Sequence, residues 1–239
     1  MLQINRNFLT IPTNDIYFEN KRVKSRYKAK VSCYTHRLKP SRRLQSKRTV
    51  HVDLQQDEAT FLNNLPNGTK DILFEYNIDK YKIIPIKNPS DEQIRDFQRF
   101  YNENINTSID KINRSKFQSL LLLRDQDALI VTKIENDTNE TLGYRVYVAD
   151  GQNTLLLYVA NINLDESNKS NLLLCWENMK MFRNLGFSVY DFGGVDLESS
   201  IRCSSYFGGS EVTVFSGYIA KSFVFRMVAK LNQWREKRI

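Results

Sequence analysis

Leu172, Trp176, Met179 and Phe182 recur at three- and four-residue steps, the period of a single apolar helix face, and Ser170 or Asn171 stands where its N-terminal cap belongs. Gly186 occupies the position of a left-handed C-terminal cap, after which Phe187 to Tyr190 alternates as a half-buried strand that ends at Asp191. Gly193-Gly194 follows, and a second pair, Gly208-Gly209, comes fifteen residues later. The pattern predicts a helix that feeds a strand with Asp191 at its open end. The glycines beyond it permit a sharp turn or the close approach of a ligand.

The remaining periodicity places the other elements around this unit. Val50 to Leu54 reads as a short strand, and Asp57 to Leu65 as a helix stopped by Pro66-Asn67-Gly68. Thr69 is placed to cap a second helix through about Asn77. Tyr81 to Ile86 is a strand whose Pro85 marks an edge or an end. Ser90 with Gln93 spells a capping box for a helix that presents Ile94, Phe97, Tyr101 and Ile105.

From Phe117 the period becomes that of sheet, with strands expected at Ser119–Leu123, Ala128–Ile134, Tyr144–Ala149 and Thr154–Ile162. The first reads equally well as the end of a helix from Asn113. Asp150-Gly151 is a hairpin signal. Glu211 to Tyr218 is a further strand, and Ser222 caps a terminal amphipathic helix with Phe223, Met227, Leu231 and Trp234 on one face, which fits a docked lid or a membrane anchor. Helices first and a mostly antiparallel run of strands afterwards define an α+β class.

Composition narrows the function classes. At 239 residues, 41% apolar and 12% aromatic, the chain has enough apolar material for a real core. Three cysteines without paired spacing and only two histidines argue for a reducing compartment, and against a zinc or Cys/His catalytic site. No signal-peptide pattern opens the chain, and apolar runs such as 155–160 are too short to span a bilayer. A cytoplasmic protein is expected, with attachment to the inner face of the membrane as the alternative.

The charge is lopsided. Twelve of the 35 Lys and Arg residues, and no acid, fall in 21–48, so the rest of the chain is net negative despite a total of +8. Such a segment attracts the phosphates of a nucleotide, a nucleic acid or a membrane surface, although a solvated basic strand pair gives the same charge run. Residues 1–48 therefore read as a basic N-terminal extension packing on a core of 49–239. No G-x-x-x-x-G-K-[ST], G-x-G-x-x-G or G-x-S-x-G occurs, which leaves P-loop, Rossmann and hydrolase chemistry without support.

Tyr190-Asp191-Phe192-Gly193-Gly194, then Phe207-Gly208-Gly209, preceded by a helix ending in Leu185-Gly186-Phe187, resembles the GNAT-type acyltransferases and, among them, the Fem-type branch. Thr49 to Leu54, the acidic pair Asp57-Glu58, and Asn67-Gly68-Thr69-Lys70 are similar to the opening of single-domain proteins of that branch. The likeness spans roughly 49–218. It implies a GNAT-like mixed, mostly antiparallel sheet flanked by helices, and transfer of an acyl group from a thioester or an aminoacyl ester to an amine.

By that resemblance the phosphates of an acyl-CoA co-substrate rest on backbone amides where the helix after the fourth strand begins, here Lys169-Ser170-Asn171, unless these residues form a plain N-cap, and the backbone amides around Asn161 donate to the oxyanion. The family's Gly-rich loop is missing there, and Asp165 and Glu166 add negative charge. On the acceptor side Ser204 stands where the Fem-type lysine is expected, with Arg202 the nearest cation. Aminolysis needs a neutral amine, a donor for the oxyanion and a proton for the departing sulfur. Asp191 is the candidate acceptor or orienter of the amine proton and Tyr206 the candidate acid, with turn capping and packing as their plain alternatives. No metal is implied.

The resulting expectation is an N-acyltransferase acting on a small-molecule or lipid-linked amine of a cell-envelope or polysaccharide precursor. An aminoacyl-tRNA donor and a non-catalytic binding protein are the alternatives.

Overall fold

The computed structural model describes residues 1–8, 10–20, 28–75, 80–105, 111–162, 167–193, 207–223, 225 and 227. Its strands are β1 (Leu2–Phe8), β2 (Ile11–Tyr17), β3 (Val31–Arg37), β4 (Gln45–Asp53), β5 (Tyr81–Lys87), β6 (Leu129–Asn136), β7 (Thr141–Ala149), β8 (Asn153–Asn161), β9 (Val189–Asp191) and β10 (Ser210–Ala220). The helices are α1 (Glu58–Asn64), α2 (Asn67–Glu75), α3 (Asp91–Asn104), α4 (Arg114–Arg124) and α5 (Ser167–Asn184). All ten strands form one sheet in the order β1-β2-β3-β10-β4-β9-β8-β7-β6-β5. Only β2–β3 and β8–β9 pair parallel. The α+β, GNAT-like sheet flanked by helices expected from the sequence is thus the observed fold.

The local signals explain the boundaries. The Ser90 hydroxyl accepts from the Gln93 N–H and the Gln93 side chain accepts from the Ser90 N–H, so α3 begins where its capping box stands. Its residues Ile94, Phe97 and Tyr101 are buried, as the period required. Pro85 sits on β5, an edge strand, where a missing donor is tolerated. Asp150-Gly151 turns β7 into β8 with Gly151 at φ 86°, and the Asp150 carboxylate accepts from the Gln152 and Asn153 N–H groups.

Three local expectations are corrected. Ser119–Leu123 is helix, not strand: Asn113 caps α4 by accepting from the Lys116 N–H at 3.0 Å, and Leu120 and Leu123 share its buried face. α2 starts at Asn67, because the Pro66 carbonyl accepts from the Thr69 and Lys70 N–H groups; Thr69 lies inside the helix and does not cap it. α5 starts at Ser167, so Ser170 and Asn171 belong to its first turns and not to its cap. The terminal helix expected after Ser222 lies largely outside the described residues.

The segment 1–48 supplies β1, β2, β3 and the start of β4, and β10 is threaded between β3 and β4. On one face α1, α2 and α5 bury Phe61, Leu73, Trp176, Met179 and Phe182 against Tyr147, Leu156 and Tyr190 of the sheet. On the other, α3 and α4 pack on Val146, Val148 and Leu155. Ile4 of β1 and Phe18, just after β2, join that second cluster although β1 lies at the far edge of the sheet. The strongly twisted sheet therefore curls, and its N-terminal hairpin closes over the face that carries Leu155.

Candidate active site at the parting of two parallel strands

β8 and β9 pair over three residues only: Asn153 with Val189, Thr154 with Tyr190, and Leu155 with Asp191. β8 then continues for six residues, 156–161, whose β9-facing edge has no strand partner among the described residues. The cause is local. Val146 of β7 pairs with Tyr158 while Tyr147 pairs with Leu156, which leaves Leu157 as an extra, bulged residue just beyond the last β8–β9 pair. A bulge bends its strand and increases the twist, so β8 turns away from β9 there. Across the gap Gly193, at φ 87°, lies so close to the Leu156 carbonyl that a β-carbon would sit under 3.0 Å from it.

Asp191, the last residue of β9, is only 2% exposed. Its side chain faces the β3–β10–β4 part of the sheet. Oδ1 accepts from the Thr49 hydroxyl and from the Gly193 N–H at 2.9 Å. Oδ2 accepts from Nδ1 of His36 at 2.5 Å and from Nε2 of His51 at 3.2 Å. Burial alone would raise this carboxyl; the charges and hydrogen bonds of His36 and His51 outweigh it and hold the group well below the usual carboxylate range.

Each partner is placed by the sheet. His51 lies directly opposite Asp191 in the antiparallel β4–β9 pair, and Thr49 is two residues back on the same face. His36 lies with Thr35 in a β-bulge of β3 opposite Ser216, between the Arg37–Phe215 and Tyr34–Gly217 pairs, with φ 51° and its N–H donated to the Ser216 hydroxyl at 3.1 Å. The bulge swings its ring toward Asp191. Both of the chain's histidines thus meet one carboxylate, a convergence that two histidines fifteen residues apart and far from Asp191 do not announce in the sequence.

This arrangement revises the role expected for Asp191. Its oxygens already accept four hydrogen bonds and its proton affinity is depressed, so it orients its neighbours better than it accepts a proton.

The other candidates are less concentrated. Asn161 ends β8, and its side-chain carbonyl accepts from Nη1 of the fully buried Arg145 at 3.0 Å, while the Ile162 N–H is donated to Leu142. Asn161 therefore fastens the end of β8 to β7. Ser170 and Asn171 are buried in the first turns of α5, and the Asn171 Oδ1 has no hydrogen-bond partner among the described residues. Lys169 belongs to the same turns by its backbone. Tyr206, Arg202 and Ser204 lie outside the described residues. Among the described residues no group of three His, Cys, Asp or Glu side chains could hold a metal ion, and no helix is long and apolar enough to cross a membrane.

No family profile and no curated protein matches the chain at the level of sequence. Solved structures do match its fold. FemX aligns with 85% of this chain and 75% of its own at 12% identity and a TM-score of 0.59. L-PGS from Bacillus licheniformis aligns with 87% of this chain and 74% of its own at 8% identity and a TM-score of 0.54. A C-terminal domain ascribed to a lysylphosphatidylglycerol synthetase of Agrobacterium fabrum covers 85% of this chain and 72% of its own at 10% identity, again with a TM-score of 0.54. At these identities the likeness is one of fold.

Proposed function

We propose that the chain is a GNAT-type N-acyltransferase that moves an acyl group, acetyl in the simplest case, from acyl-CoA to an amine of a cell-envelope or polysaccharide precursor. The observation that carries this reading is the edge of β8 at 157–161, beyond the Gly193–Leu156 contact, along which no described strand runs and after which α5 follows in the chain. A strand edge along which no described strand runs offers N–H and C=O groups to an extended, amide-containing ligand. The start of an 18-residue helix offers N–H groups and the positive end of its dipole to a phosphate. An amine acceptor would approach from the side of Asp191 and its histidines.

A second donor is favoured by a specific observation. Lys39, Arg42, Arg43, Lys47 and Arg48 are all exposed around the β3–β4 turn, a surface suited to the phosphates of an aminoacyl-tRNA. A peripheral contact with an anionic membrane, where lipid-linked acceptors reside, would use the same charges.

Thermal shift with coenzyme A, acetyl-CoA, uridine sugar nucleotides and tRNA separates these readings, since ligands of the native state raise the melting temperature by mass action. The expected result is stabilisation by acetyl-CoA, followed by thiol release when an amino-sugar or peptidoglycan-precursor amine is added. Stabilisation by tRNA alone, lost steeply with salt, moves the assignment to the aminoacyl-tRNA donor. Binding of sugar nucleotides with no donor binding at all contradicts both and leaves a binding protein.

A further inference from the structure

His36 and His51 meet Asp191 through different ring nitrogens, and that difference fixes what each ring can do. An ionised carboxylate only accepts hydrogen bonds. Nδ1 of His36 and Nε2 of His51 must therefore both carry protons, and in the neutral form of each ring the lone pair is on Nε2 of His36 and Nδ1 of His51.

The two rings differ in access. The His36 side chain is 7% exposed, whereas that of His51 is 18% exposed, and no described residue is hydrogen-bonded to Nδ1 of His51. His51 stands one strand away from the point where β8 and β9 part, level with the last pair, Leu155 with Asp191. The charged groups around it are Asp191 across the β4–β9 pair, His36 beyond β10, and Lys47 and Asp53 further along its own face of β4. Gly209 lies against the backbone of His51 itself, for a β-carbon there would meet the His51 carbonyl at 2.8 Å.

We propose that Nδ1 of His51 takes the proton released by the attacking amine, with Asp191 and His36 as positioning residues, an assignment that rests on the acyl-transfer reading above. In the balanced sequence, the acceptor ammonium gives one proton to Nδ1 of His51. The neutral nitrogen then attacks the carbonyl carbon of the thioester or aminoacyl ester. The C–N bond forms and the tetrahedral oxyanion collapses with loss of the C–S or C–O bond. The second nitrogen proton leaves with the thiolate or alkoxide, and His51 returns its own proton to water through its exposed edge. Asp191 stabilises the doubly protonated ring without itself taking the proton.

The test is the pH dependence of kcat/KM for amine transfer, measured with whichever donor binds, in the full chain and in His51→Gln, together with the nitrogen-15 shifts of the imidazoles. Transfer in His51→Gln is expected to fall by about 10²–10⁴-fold, with donor binding unchanged and the acidic limb of the profile removed. His36→Gln is expected to lower the rate less and to keep the limb. Nitrogen-15 shifts are expected to show His51 protonated at Nε2 and bare at Nδ1, a readout that needs no turnover. Transfer that survives in His51→Gln with its acidic limb intact, or a proton found on Nδ1 of neutral His51, overturns this assignment alone. A wild-type chain that binds and turns over neither donor overturns the acyl-transfer reading, and this proposal with it.

Discussion

Gly193 presses on the carbonyl of Leu156 from across the gap between two parallel strands. That contact stands just past the end of β9 and beside the bend of β8 at Leu157, and it needs both a left-handed backbone and the absence of a side chain. Gly193→Ala is therefore expected to cost about 1–3 kcal/mol for the backbone conformation alone, with the steric conflict adding to it. Urea denaturation reads the loss, and donor affinity should fall along with it. A variant of unchanged stability would mean that the contact is slack.

Leu157 tests the cause of the strand parting separately. Deleting it removes the extra residue from β8, restores plain register against β7 and straightens the strand toward β9. The expected product is a folded protein, by circular dichroism, that has lost donor stabilisation in thermal shift. Retained donor binding would show that the bulge is not what opens the edge.

Asp191 ties stability to pH. Its folded carboxyl lies below its unfolded one, so the unfolded chain binds the proton more readily, and the stability that this ion contributes is full above about pH 4–5 and lost as the pH falls further. Asp191→Asn is expected to be less stable at neutral pH by about 3–5 kcal/mol, the cost of breaking a buried charge pair, and to show a shallower loss of stability in acid than the wild type. Urea midpoints between pH 7 and pH 3 compare the two; parallel curves would mean that Asp191 is not ionised in the folded protein.

The opposite face of the same strand carries a polar tie within the apolar core. The Asn178 side-chain amide donates to the Thr132 hydroxyl at 2.9 Å and to the Tyr147 hydroxyl at 2.8 Å, and the Tyr147 and Tyr190 hydroxyls lie 2.9 Å apart. Burial pushes both phenols up, so they stay neutral hydrogen-bonding groups. Asn178→Ala leaves two buried hydroxyls short of a partner, and each unmet group costs about 1–3 kcal/mol. The melting temperature should fall accordingly, while Tyr190→Phe, which removes one partner outright, should be the milder change.

Much of the fold could be read from spacing. The face of Leu172, Trp176, Met179 and Phe182, the capping box at Ser90 and the Asp150-Gly151 hairpin are local signals, and each is found where its residues place it. The four-residue run Leu120 to Leu123 fits either period, so only its cap at Asn113 and the lack of a sheet partner decide for helix. Of the proposed site, one member stands out in the sequence. Asp191 is marked by the glycines after it, but His51 and His36 stand 140 and 155 residues away in sequence. Val50-His51-Val52 shows that His51 points away from its apolar neighbours, yet nothing local says that β9 will lie beside it or that a bulge will turn His36 across β10.

Hydrogen–deuterium exchange of the full chain, with and without a non-hydrolysable acyl-CoA and, separately, an aminoacyl-tRNA, bears most directly on the open edge of β8 as the seat of the acyl donor. One of the two donors is expected to slow exchange of the amides of 157–161 and of Gly193 while leaving the paired amides of β6 unchanged. Protection confined to other parts of the chain, or none with either donor, would contradict it.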